Sequence, residues 1–136
     1  MAVPYLACMA LVASVYHLPP RVLPAIQAVE GGAIGVVSAN ANGTQDLGVM
    51  QVNTLWLAPL AAMARLSEAT VRDRLIHQSC FNIAAAGLVL RFYLQADRND
   101  LMLAIGDYHS HTPMLNRRYQ SQVWRAARRL FQAPHR

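Results

Sequence analysis

One stretch of this chain limits what it can fold into more than any other. Residues 31 to 48 are rich in Gly, Asn, Ser and Thr, which is loop and turn chemistry, while apolar residues on both sides recur at helical spacing. Asn42-Gly43 is the strongest turn signal present. The alternation from Leu47 to Asn53 permits a short strand. The expected architecture is therefore mainly α, with one polar excursion, a short hairpin or irregular segment around 36–53, carried on rigid helices. Such segments are where function concentrates.

Helices are expected over about Tyr5–Tyr16, Arg21–Glu30, 54–64, 68–76, 80–96, 99–107 and 115–131. Gly31-Gly32 closes the second of them, and Ser67 before Glu68 and the Asn99-Asp100 pair mark helix starts. With 136 residues and no repeat or linker, the chain reads as a single domain over 1–136, its core spanning about 8–131. Met1 to Pro20 holds no charged residue, yet Pro4, Ser14, His17, Pro19 and Pro20 interrupt it, and no cationic segment precedes Tyr5. A buried helix is expected there, with neither an export signal nor a membrane span.

Charged residues are only 14% of the chain and hydrophobic ones 54%, which excludes a disordered tail and a charged coiled coil. All twelve basic residues are arginine, against seven acids, for a net charge of +5. That balance suits an anionic partner: nucleic acid, a membrane surface or bacterial wall. Arg117, Arg118, Arg125, Arg128 and Arg129 cluster in the last helix. They are expected to form a solvated face, with Trp124 and Phe131 in the core at helical spacing; stacking of these aromatics on a nucleic acid is the other option. Cys8 and Cys80 each begin an apolar helical pattern. Spacing alone allows two buried thiols or one disulfide. Together with His17, His77, His109, His111 and His135 they show no metal-ligand spacing, so no metal site is expected.

The most unusual acid is Glu30, which ends an apolar helix and precedes two glycines that leave space beside it. A carboxyl half-buried at a cleft edge is desolvated, its pKa rises, and it keeps a proton for general acid catalysis near neutral pH. The plainer option is a surface Glu near a helix end. From Asn40 to Asn53 come a turn, Asp46, Gly48 and the amides Gln51 and Asn53, groups that suit sugar hydroxyls and N-acetyl groups. Ala104 to Pro113 ends a helix with Tyr108, His109, Ser110, His111 and Thr112.

These residues, in this order, resemble the lysozyme-like lytic transglycosylases of bacteria, in particular the branch that accompanies conjugation and protein-secretion machines. The matching positions are Cys8, Ala13 and Tyr16; Leu23, Ile26 and Glu30; Asn42, Gly43, Asp46, Gly48, Met50, Gln51 and Asn53; Trp56; Cys80, Asn82 and Ile83; Tyr108 to Pro113; and Arg118-Tyr119. They span about Cys8 to Leu130. Two departures stand out: Gly31 replaces the Ser that usually follows the family's catalytic Glu, and Tyr108-His109-Ser110 replaces a Tyr-Asn-Ala-Gly run.

The resemblance implies a lysozyme-like fold of the goose type and cleavage of the β-1,4 bond between N-acetylmuramic acid and N-acetylglucosamine in peptidoglycan, without cofactor. Glu30 would be the general acid and base, Tyr108 would position it, and Gln51, Met50 and Asn53 would line sugar subsites. Asp46, His109 and Tyr119 would support them. It further implies a periplasmic setting, which favours a Cys8–Cys80 disulfide. Peptidoglycan strands and a secretion, conjugation or pilus apparatus would be the partners, and nucleic acid would not. Two alternatives remain: a hydrolytic muramidase using Glu30 with Asp46, and a non-catalytic glycan-binding or adaptor module.

Overall fold

The computed structural model describes residue 3 and residues 5–132; His135 and part of the N-terminal stretch lie outside them. Among the described residues the order is α1 (Leu6–Tyr16), α2 (Val22–Glu30), β1 (Val37–Ala39), β2 (Gln45–Leu47), β3 (Val52–Asn53), a 3-10 turn (Thr54–Trp56), α3 (Leu57–Ala64), α4 (Glu68–His77), α5 (Ser79–Ala96), α6 (Leu101–His109) and α7 (Pro113–Phe131). The mainly α reading stands, and the three strands occupy the polar excursion.

The helix boundaries follow local chemistry. The Ser67 hydroxyl accepts from Thr70 N at 3.1 Å, and Asp100 Oδ1 accepts from Leu103 N at 3.1 Å, so each satisfies an amide that the first turn leaves open. Helix α7 begins at Pro113, two residues before the expected start, because a proline costs nothing where no intrahelical N–H is required.

The sheet is antiparallel with order β1-β2-β3. Asn42 Oδ1 accepts from both Thr44 N (3.1 Å) and Thr44 Oγ1 (2.7 Å), tying the Asn42-Gly43 turn. The single strand permitted from Leu47 to Asn53 is instead broken in two. Gly48 and Gln51 both adopt positive φ (71° and 53°), and the chain folds back between them. Asn82 imposes this. Fully buried on α5, its side chain accepts from Met50 N (2.8 Å) and donates to Leu47 O (2.7 Å) and Leu75 O (2.8 Å). One amide thereby bonds three buried backbone groups, an N–H and two carbonyls, from the β2–β3 turn, β2 and α4.

One core joins the helices to the sheet: Met9, Leu23 and Ile26 meet Leu47, Met50 and Val52, with Leu75, Ile83, Leu90 and Val123 around them. Each such side chain contributes about 1.5–3 kcal/mol by leaving water. Helices α1 and α5 lie close because Gly87 has no side chain; a Cβ there would collide with Val12. A disulfide between Cys8 and Cys80 staples the same pair, with Cα atoms 5.8 Å apart. Closing that loop stabilises by about 4 kcal/mol on the chain-entropy account.

Two expectations need correction. Helix α1 buries only one side, through Met9, Val12 and Ala13, and turns Leu11 and Val15 outward at 65% and 60% exposure. Trp124 is 51% exposed and does not enter the core. The buried positions of α7 are Asn116, Tyr119, Val123 and Ala126, and one residue beyond Val123 the helix has already rotated by roughly 100° towards its arginine face. Phe131 is partly buried, with the Arg21 guanidinium 5.4 Å from its ring centre.

Candidate active site

Helix α2 delivers Glu30 to the edge of the sheet. Gly31 ends the helix at φ 67° with its N–H on Gln27 O (2.8 Å). The backbone of Gly32 then lies against the carbonyls of Gly48 and Val49, where any Cβ would collide. The two glycines thus have separate tasks: the first turns the chain, and the second seats it on the β2–β3 turn.

Beside Glu30 opens a cleft of about 470 Å³. One wall is the hairpin, with Asn40, Asn42, Thr44 and Asp46; Gln51, Asn53 and Trp56 follow; α5 and α6 add Tyr93, Asp107, Tyr108 and His109, and the loop after α6 adds His111. Amides, hydroxyls and carboxyls alternate there with aromatic surfaces, and Trp56 sits edge-on to Phe92 (5.5 Å) and Tyr93 (5.8 Å). That mixture fits a polyol with apolar ring faces, which needs both hydrogen-bonding groups and flat apolar surface.

Glu30 is the chemically distinctive group. Burial drives its carboxyl up to about 7; the Tyr119 hydrogen bond opposes this and the Asp46 charge adds to it. Tyr119, buried on α7, donates to Glu30 Oε2 at 2.6 Å. Burial and the neighbouring carboxylate push the Tyr119 phenol well above its ordinary range, so it remains a donor. His109 stacks on the Tyr119 ring with centroids 4.8 Å apart and planes 9° from parallel.

The hydrogen bond to Glu30 expected of Tyr108 is made by Tyr119. The Tyr108 hydroxyl donates instead to Met50 O at 2.7 Å, which pins α6 to the β2–β3 turn and still leaves the ring in the cleft wall. Met50 does not line a subsite: its side chain is completely buried, because the positive-φ turn points it into the core. Gln51 and Asn53 do line the cleft, but their amides are partly engaged. Gln51 Nε2 donates to Gly48 O (3.0 Å), and Asn53 Nδ2 donates to Thr44 Oγ1 and Asp46 Oδ1, both at 3.0 Å. Asp46 is therefore fixed within the sheet and also faces the same cleft as Glu30.

Tyr93, Asp107 and His111 line the cleft without having been singled out as a group. Asp107 Oδ1 lies 3.0 Å from His111 Nδ1 and accepts from Asn116 Nδ2 at 3.0 Å. A hydrogen bond to Asp107 also raises the nearby Asp97 carboxyl to about 6. Asn82 carried a visible signal, being an uncharged polar residue inside the apolar run 80–90; Tyr93 and Asp107 carried none beyond their residue type. Among the described residues no group of three His, Cys, Asp or Glu comes together as a metal site, and no single helix is long and apolar enough to cross a membrane.

No family model and no curated protein matches this chain. What the site offers is a carboxylic acid that keeps its proton near neutral pH, oriented by a buried phenol at one side of a polar, aromatic-walled groove. Such a group can protonate a leaving oxygen and, once ionised, take a proton back.

Proposed function

We propose that this chain is a lysozyme-like peptidoglycan lytic transglycosylase. The observation that carries the reading is the Glu30 carboxyl, raised to about 7 and held by Tyr119 at the side of a groove of sugar-compatible groups. Glu30 protonates the glycosidic oxygen between N-acetylmuramic acid and N-acetylglucosamine as the C1–O bond breaks. The resulting carboxylate removes the proton from the muramoyl 6-hydroxyl, whose oxygen bonds to C1. The products are a free 4-hydroxyl and a 1,6-anhydro ring, and water is not consumed. One carboxyl suffices for both proton transfers. The work belongs to the periplasm, opening the wall locally for a secretion, conjugation or pilus apparatus; the Cys8–Cys80 disulfide is compatible with that compartment.

Asp46 supports a second reading. It shares the cleft with Glu30 and its charge acts on that group, as a partner carboxylate in a retaining hydrolase does. Digestion of purified sacculi followed by mass spectrometry separates the two. Anhydro-muramoyl fragments support the transglycosylase; fragments one water heavier throughout make the enzyme a hydrolase; intact sacculi with bound protein leave a glycan-binding module.

A further inference from the structure

Helix α7 has two faces with different tasks. Asn116, Tyr119, Val123 and Ala126 turn inward, and Tyr119 reaches Glu30. The outward face carries Arg117, Arg118, Arg125, Arg128 and Arg129, and the helix contains no acid. Five arginines equal the net charge of the whole chain, so this face holds the molecule's imbalance. Among the described residues the ion pairs within 4.0 Å join only histidine to aspartate, so none of these arginines is neutralised by a carboxylate.

The face is not purely ionic. Trp124 stands in its midst, 51% exposed, with the Arg128 guanidinium 4.8 Å from its ring centre. Met114 and Leu115 are exposed at the N-terminal end of the same helix. Beside Trp124 lies a shallow depression of about 500 Å³, lined by Arg117, Arg125, Gln120, Ser121 and, from α6, Met102. Guanidinium groups match phosphate oxygens in pairs, and hydroxyl and amide neighbours supply further donors. Arginine, an outward Trp and exposed apolar side chains along one helix make up the composition of an interfacial membrane helix.

We propose that the outer face of α7 docks on an anionic phospholipid surface, with the arginines on lipid phosphates and Trp124 at the boundary between headgroups and acyl chains. A nucleic acid or an anionic wall polymer would satisfy the charges as well. Neither accounts for Met114, 65% exposed on the same outward face as Trp124 and the arginines, whereas a bilayer takes up apolar tips and cationic heads together. Tyr119 lies roughly 120° around the helix from Arg125, so docking leaves the inward face and its hold on Glu30 undisturbed. The proposal does not depend on the reaction proposed above.

The test is co-sedimentation of the full chain with vesicles of phosphatidylcholine alone and with 30% phosphatidylglycerol, at physiological salt, alongside Trp fluorescence. Binding is expected only to the anionic vesicles, with a blue shift of Trp124 emission that is absent in Trp124→Ala. The double variant R125E/R129E should lose at least about thirtyfold in partitioning, whereas R65E/R98E, an equal charge change elsewhere on the surface, should lose clearly less. Circular dichroism of each variant verifies the fold. Equal losses in the two double variants, or binding without any Trp124 shift, would reduce the effect to bulk charge and overturn the proposal. So would binding to duplex DNA or to sacculi that R125E/R129E abolishes while binding to the anionic vesicles survives.

Discussion

The Tyr119 hydroxyl meets Glu30 Oε2 at 2.6 Å across 89 residues of sequence, joining the last helix to the end of the second. Tyr119 is held by burial on α7, so the carboxyl it contacts has a defined orientation before any substrate arrives. The bond also favours the ionised form and lowers the Glu30 pKa against the larger effect of burial. Tyr119→Phe should therefore move the alkaline limb of the activity profile to higher pH while rates at the optimum drop about ten- to a hundredfold from lost orientation. Sacculus lysis measured from pH 5 to 9 checks this; an unmoved limb would mean that Tyr119 only packs.

Asp46 acts in the opposite sense, since its negative charge raises the Glu30 pKa. Asp46→Asn should shift the same limb to lower pH and, for a transglycosylase, leave anhydro products at a reduced rate. A rate loss of many thousandfold, with product chemistry unchanged in the residual activity, would give Asp46 a direct part in the reaction.

A folded-state pKa of about 7 against an ordinary 4.5 ties Glu30 to stability. The folded state holds this proton more tightly, so the contribution is complete below about pH 4.5 and is lost as pH rises through 7. Two and a half pH units correspond to about 3 kcal/mol. Glu30→Gln carries no charge to desolvate, so it should abolish lysis yet be more stable than the parent at pH 8 by about 2–3 kcal/mol, and nearly equal at pH 4.5. Urea unfolding at the two pH values measures the difference.

Asn82 holds Met50 N, Leu47 O and Leu75 O together in the core. Asn82→Ala removes three buried hydrogen bonds and should cost about 3 kcal/mol or more. The β2–β3 turn would loosen first. Faster amide hydrogen exchange at Met50 would report it, and unchanged exchange there would show that other contacts fix the turn.

Gly31→Ser introduces the residue usual at that position in the resembled family. No atom lies within 4 Å of a Cβ at Gly31, so nothing clashes, but φ is 67°. The expected cost is about 1 kcal/mol from left-handed backbone strain, with Gly31→Asn costing less. Denaturant midpoints of the two variants check the order.

The helices were legible from apolar spacing because a helix must place one stripe against a core, and Ser67, Asp100 and Gly31 mark their ends by chemistry acting within one turn. The Asn42-Gly43 hairpin turn is local for the same reason. Glu30 stood out because an acid at the end of an apolar helix is costly to desolvate.

Other features required the chain to close on itself. Sequence order could not tell which tyrosine reaches Glu30, since Tyr108 and Tyr119 lie on successive helices and only their packing sends one to Met50 O and the other to the carboxyl. Nor could alternation reveal that Asn82 would split the strand expected over Leu47–Asn53, or that the resulting turn would bury Met50 while leaving Gln51 and Asn53 at the cleft. Patterning along a chain specifies what each segment can hide from water. Only the packing of segments distant in sequence decides which polar atoms meet, and the proton on Glu30 depends on those meetings.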